Sequence, residues 1–332
     1  MGVHGPIELR IDVTGRASGL GGTLEQAVTV HLPDEREIND PPVVMFGFPG
    51  GGVARGYWCL ETEDSTDWSQ ARYHAERGCV FVSVDHLGVG ESTTGDPEDF
   101  TMEVVTSGNV AVVRAVLDRL IEGVLVEGFP ALADPVTIGM GQSMGGFFII
   151  QMQGQQAVFD GVAVLGYSSI HTVVPAPPGE DQTPLPGVAR NSSPETLGIW
   201  ADRLAAMGGR DALMKRMTHL SFFDKNDSDC LRMDFVTPPF STTFPGAAKY
   251  ATSRGVVAEE AARIECPVFL GFGERDTSQH PKGEPTGYLR SNDIVLAVIP
   301  GMAHGQYFNS KRRELWTRIH PWAMWVAAQV RP

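Results

Sequence analysis

The chain has 332 residues, 42% apolar and 20% charged, which suits a folded protein of about two units, or one large α/β unit with an insertion, and excludes a disordered polymer. Forty acidic residues against 26 Lys and Arg leave a formal net charge of −14, which argues against nucleic-acid partners and anionic membrane surfaces. No run nears the roughly 18 apolar residues of a membrane span.

The N-terminal stretch MGVHGPIELRIDVTG lacks the basic and apolar regions of a secretory signal, and Pro6 breaks the myristoylation pattern that Gly2 begins. Ile7 to Val13 and Ala27 to His31 are short β-prone runs separated by Gly19, Gly21 and Gly22, a pattern that predicts an antiparallel hairpin. From Pro42 the pattern changes. Pro42 to Phe46, Cys79 to Val84, Val136 to Met140, Val162 to Leu165, Pro267 to Phe272 and Ile294 to Ile299 are apolar without alternation. Such runs suit strands buried on both faces of a parallel sheet.

Helical patterns lie between them. Asp67 to Arg77 is one, and Met102 to Ile121 is the clearest, with Val110, Val113, Val116, Leu117, Leu120 and Ile121 on one stripe. Ser310 is placed to cap a last helix through Leu315 and Ile319, which Pro321 is expected to kink or end. Alternating strands and helices predict a mostly parallel, doubly wound α/β sheet.

Residues 171–262 interrupt the alternation: they contain no buried-strand run, open with Pro175, Pro177, Pro178, Pro184 and Pro186, and predict a helix over Trp200 to Met217. This segment reads as an inserted, mainly helical cap, leaving 1–170 and 263–332 as the core. Cys59, Cys79, Cys230 and Cys266 are scattered without a CxxC pair, as expected of reduced, mostly buried thiols in the cytoplasm rather than of disulfides or a zinc site.

Gly141-Gln142-Ser143-Met144-Gly145 follows a predicted strand and precedes an apolar segment of helical length. In that context G-x-S-x-G is a nucleophile elbow, with Ser143 on a strained turn above the sheet and free N–H groups at the start of the next helix. A serine hydroxyl needs a base to take its proton and an acid to orient the base. Asp276, just after the Pro267 strand, is the expected acid, with Glu274 as its competitor; His304, in the glycine-flanked loop after the Ile294 strand, is the expected base. His86 follows another strand, where it would either line the site or make a satisfied core contact; His171 and His280 read as ordinary polar residues or core contacts.

Together these residues resemble the α/β-hydrolase superfamily of serine hydrolases over the whole chain except the insertion. Phe46-Gly47-Phe48-Pro49-Gly50-Gly51-Gly52 is similar to the family's HGxPG loop, with Phe46 for the usual His. The resemblance implies backbone oxyanion donors at Phe48 and Met144, with a glycine of Gly50–Gly52 as the alternative to Phe48. The candidate pocket residues are Gly50, Gly51, His86, Gln142 and, from the cap, Trp200, whose alternative place is the cap's own small core. Val84-Asp85-His86-Leu87-Gly88-Val89-Gly90-Glu91-Ser92 resembles the structural D-x-R-G-x-G-x-S segment, with Leu87 for Arg.

The expected activity is hydrolysis of a carboxylic ester or lactone through an acyl-enzyme on Ser143, with no metal or organic cofactor. Asp224 to Phe235 fails as a calcium loop, having Asp229 at the sixth position and Phe235 at the twelfth. Rival readings are a proline iminopeptidase-like aminopeptidase, suggested by the Pro-Gly-Gly-Gly loop; an acyltransferase, suggested by Ser143-Met144-Gly145-Gly146 but not by Gly305 after His304; a carbon–carbon bond hydrolase; and a ligand-binding receptor on a hydrolase fold. Acidic residues concentrate in the first third, where Glu61, Glu63, Asp64, Asp96, Glu98 and Asp99 would favour an amine-bearing substrate if they reach the pocket. An exposed apolar cap face would suit a homodimer.

Overall fold

The computed structural model describes residues 4–17, 19–61, 65–184, 187–188, 202, 205–206, 208–222 and 247–331. Eight strands form one sheet: β1 (His4–Asp12), β2 (Glu25–Leu32), β3 (Val43–Phe48), β4 (Cys79–Val84), β5 (Val136–Gln142), β6 (Gly161–Leu165), β7 (Val268–Arg275) and β8 (Ile294–Ala303). Their spatial order is β1-β2-β4-β3-β5-β6-β7-β8. β1 and β2 pair antiparallel, and β2 meets β4 antiparallel; every pairing from β4 to β8 is parallel.

The unbroken apolar runs follow from burial on both faces. On β3, Val44, Phe46 and Phe48 join one core cluster, while Val43 and Met45 join the other. On β4, Val80, Val82 and Val84 face one way and Cys79 and Phe81 the other. Helices α3 (Met102–Glu122) and α4 (Met144–Gln156) fill the first layer; α2 (Gln70–Ala75) and α8 (Arg312–Val330) fill the second. Thr101 caps α3 by accepting from the Val104 N–H, and Gly123 ends it with φ +70°. The short α1 (Gly56–Cys59) follows β3. Between β6 and β7 the described helices are α5 (Gly209–Ser221), α6 (Ala248–Ala251) and α7 (Ala258–Arg263).

Of the two outcomes expected at Pro321, an end to the helix does not occur: α8 passes through it. Leu315, Trp316, Ile319, Trp322, Ala323, Val326 and Ala327 are buried against the sheet along both sides of the proline, and that packing outweighs one lost backbone hydrogen bond. Ser310 does not stand at the N-cap of this helix; Lys311 does, without a side-chain capping bond.

Winding from β3 goes outward to β4 and returns across β3 to β5. The carboxyl ends of β3 and β5 therefore flank the switch point, where open α/β sheets form their binding crevice.

Candidate active site

Ser143 follows β5 at that crevice, with φ +54° and ψ −117°. A non-glycine residue with φ in this range is strained. Its N–H donates to Leu165 O at 2.8 Å and its carbonyl accepts from Phe147 N, so sheet and helix hold the turn from both sides. The tight packing explains Gly145: a Cβ there would lie 2.0 Å from Phe48 O.

The loops after β7 and β8 bring Asp276 and His304 to the same place. His304 Nε2 lies 2.9 Å from Ser143 Oγ, and His304 Nδ1 lies 2.7 Å from Asp276 Oδ1. All of Asp276's acceptor capacity is engaged. Oδ1 also accepts from Thr277 N at 2.7 Å; Oδ2 accepts from Gly273 N at 2.8 Å and Gln306 Nε2 at 3.3 Å. Glu274 is elsewhere, accepting from Gly301 N at 2.7 Å. The backbone of the histidine loop is fastened to α5, with His304 N donating to Leu220 O and Gly305 N to Ser221 O.

Three supports went unread in the sequence. Gln306 was visible in the His304-Gly305-Gln306 run, yet only the fold shows that it reaches Asp276. Glu284 is buried and stitches the loop after β7 to the loop after β6, accepting from Ser168 Oγ and Ser278 Oγ at 2.5 Å each and from Ser169 N at 3.2 Å. Burial pushes its carboxyl above the usual range, against these hydrogen bonds. Arg55 is the cation on Asp85: its N–H and guanidinium both reach Asp85, while Leu87 is fully buried. Burial alone would lower the guanidinium's pKa; Asp85, Glu8 and Glu91 outweigh it and hold it above the ordinary value.

The expected pocket residues divide. Gly50 borders Ser143, since a Cβ on it would stand 3.1 Å from Ser143 Cβ; Gly51 is partly exposed beside it. Met144 opens α4 directly after Ser143, and Phe48 ends β3 against Gly145. Gln142 is buried, with Nε2 donating to His304 O at 3.0 Å, so it braces the loop after β8. His86 is not placed to touch a ligand: its ring is 1% exposed and both nitrogens bond to protein atoms, which corrects its reading as a lining residue. Trp200, the Asp224 to Phe235 stretch, Glu63 and Asp64 lie outside the described residues. Glu61 accepts from Arg72 at 2.6 Å and 2.8 Å and meets His31, and Glu98 pairs with Lys249 at 2.8 Å. Among the described residues no group of three or more His, Cys, Asp or Glu forms a metal-binding cluster. No described helix is long and apolar enough to cross a membrane.

Residues 43–315 match the model of a family described as the alpha/beta hydrolase family. No curated protein matches the chain. Solved structures do. A thermophilic esterase from Thermogutta terrifontis superposes with a TM-score of 0.63 at 16% identity, over 96% of this chain and 99% of that one. Proline iminopeptidase from Mycobacterium smegmatis gives 0.59 at 16% identity, over 97% and 100%. The enol-lactonase from Burkholderia xenovorans LB400 gives 0.56 at 13% identity, over 91% and 96%. At these identities the likeness is one of fold.

Proposed function

The chain belongs to the alpha/beta hydrolase family, and from that premise we propose that it is a serine hydrolase of carboxylic esters or lactones. The observation that carries the reading is the continuous Ser143–His304–Asp276 hydrogen-bond relay, 2.9 Å and 2.7 Å, at the crevice between β3 and β5. His304 Nε2 takes the Ser143 proton as Oγ attacks the acyl carbonyl, and Asp276 steadies the imidazolium that forms. Backbone N–H groups of Met144 and of the Phe48–Gly50 loop receive the oxyanion. The alcohol leaves with the proton from His304, which then activates water to release the acid.

Esters are favoured over prolyl peptides for an electrostatic reason. A peptidase of this kind needs carboxylates free to hold a substrate amine, and two of the six acidic residues named for that role are engaged elsewhere, Glu61 by Arg72 and His31 and Glu98 by Lys249. The segment 171–262 is proposed as the cap that sets acyl specificity, and reduced Cys59, Cys79 and Cys266 suit a cytoplasmic site of action.

A panel of short and medium acyl p-nitrophenyl esters, lactones and a prolyl p-nitroanilide, each with and without acetyl-CoA, tests the reading. Ester or lactone turnover that disappears in Ser143→Ala supports it. Prolyl amide turnover without ester turnover would replace it with the aminopeptidase.

A further inference from the structure

The peptide between Pro49 and Gly50 is held from behind by His86. His86 Nε2 lies 3.0 Å from Pro49 O. A carbonyl oxygen only accepts, so Nε2 carries the proton, and the neutral ring presents Nδ1 as an acceptor. Asn109 Nδ2 donates to that Nδ1 at 3.0 Å. Asn109 Oδ1 in turn accepts from Gln26 Nε2 at 3.1 Å, and the same Nε2 donates to Asp85 O at 3.0 Å. The ring is stacked on Phe48, with centroids 5.8 Å apart at 22°, and packed against Phe148 at 4.9 Å. Its partners sit on β3 and the loop after it, on α3 and on α4, in the buried core, and they hold the ring on both nitrogens and against two aromatic faces. Burial also lowers its pKa, in keeping with a neutral ring.

The consequence reaches the nucleophile through one peptide plane. The Pro49–Gly50 bond is trans, which sets C=O and N–H on opposite sides of the plane. With Pro49 O tied to His86, the Gly50 N–H is turned away from His86. Gly50 itself adjoins the elbow: a Cβ there would meet Gln142 Oε1 at 2.5 Å and Ser143 Cβ at 3.1 Å. The loop is rich in glycine, and Phe46 stands where related loops carry a histidine, so its own side chains supply no polar anchor.

We infer that His86 is a positioning residue for the oxyanion loop: by holding the Pro49 carbonyl it fixes the Pro49–Gly50 peptide beside Ser143 and keeps the loop's N–H groups directed at the developing oxyanion. This rests on the serine hydrolase reading. It gives His86 no contact with substrate. Its loss therefore acts on transition-state binding more than on substrate binding.

The test compares wild type, His86→Phe and His86→Gln for kcat and KM on p-nitrophenyl butyrate and for inhibition by a boronic acid that adds to serine. Losing one oxyanion donor costs about 10²–10³ in kcat, and a misdirected donor approaches that range. His86→Phe should lose about 10²-fold in kcat with KM within about twofold, and boronic acid affinity should fall by a similar factor. His86→Gln, which keeps a donor, should recover most of both. A folded His86→Phe with kcat within about threefold of wild type overturns the inference, as does a kcat loss that leaves boronic acid affinity intact. Two readouts need no activity. Long-range ¹H–¹⁵N spectra of the wild type should give the Nε2–H tautomer at His86, and an Nδ1–H tautomer overturns the inference even if His86→Phe does not fold. A crystal structure of a folded His86→Phe should have the Pro49–Gly50 peptide rotated; an unmoved peptide overturns it. Wild type without ester turnover or boronic acid binding would remove the hydrolase reading, and the tautomer and peptide orientation would still decide the role of His86.

Discussion

Asp276 and Glu274 stand two residues apart at the end of β7, yet only Asp276 reaches His304, through a 2.7 Å contact; Glu274 turns outward to the Gly301 N–H. The difference follows from where the strand ends. Arg275 is the last residue of β7, so Asp276 falls into the loop that folds back under the histidine. Asp276→Asn should keep the fold but favour the wrong imidazole tautomer, and kcat should fall by about 10⁴. Glu274→Gln should stay within about threefold of wild type. Kinetics on one ester decide; a larger loss in Glu274→Gln would reverse the assignment.

Arg55 and Asp85 supply a stability test. The Asp85 side chain is 0% exposed, and its cation is Arg55. Arg55→Met leaves a buried carboxylate without its partner and should cost about 3–5 kcal/mol in urea unfolding. Adding Asp85→Asn should recover a large part. If Arg55→Met alone costs under about 1 kcal/mol, the pair is not a structural anchor.

Gly145 and Gly21 form a contrasting pair. A Cβ at Gly145 would collide with Phe48 O at 2.0 Å, whereas one at Gly21 meets nothing within 4 Å. Gly145→Ala should be destabilised by about 3 kcal/mol or more, or fail to fold, and Gly21→Ala should be neutral within about 0.5 kcal/mol. Thermal melts of both check the elbow's packing.

Acid sensitivity should trace partly to His74 and His320, whose Nδ1 atoms lie 3.2 Å apart. One must donate and the other accept, so a second proton breaks the contact. Burial, then the neighbouring charges, hold His74 well below its usual range; burial and Arg77 lower His320 to about 4. Folded-state values lie below the unfolded value near 6.5, so the stabilisation is complete above about pH 6.5 and is lost as pH falls toward 4. The Tm should therefore drop between pH 7 and 5, and less steeply in His320→Gln. An equal slope in both proteins would place the acid sensitivity elsewhere.

Much of this architecture was readable from residue pattern. Cys79 to Val84 is a continuous apolar run because both faces of β4 are covered, and it matched the observed strand at both ends. The elbow was readable because glycines around Ser143 answer a local packing demand. Local rules failed where a distant partner decides. Pro321 stays inside α8 because the sheet packs both sides of it. The arginine for Asp85 comes from position 55, thirty residues upstream, which no short motif discloses. His86 was placed correctly in chain order, after β4, but its direction depended on Pro49 and Asn109, on separate loops and helices.

The central claim is that Ser143 is the nucleophile, and intact-mass spectrometry after exposure to a fluorophosphonate tests it most directly. The account predicts one stoichiometric adduct, mapped to Ser143 and absent from Ser143→Ala, with ester turnover lost in the same variant. An adduct on another residue, or undiminished turnover in Ser143→Ala, would contradict it.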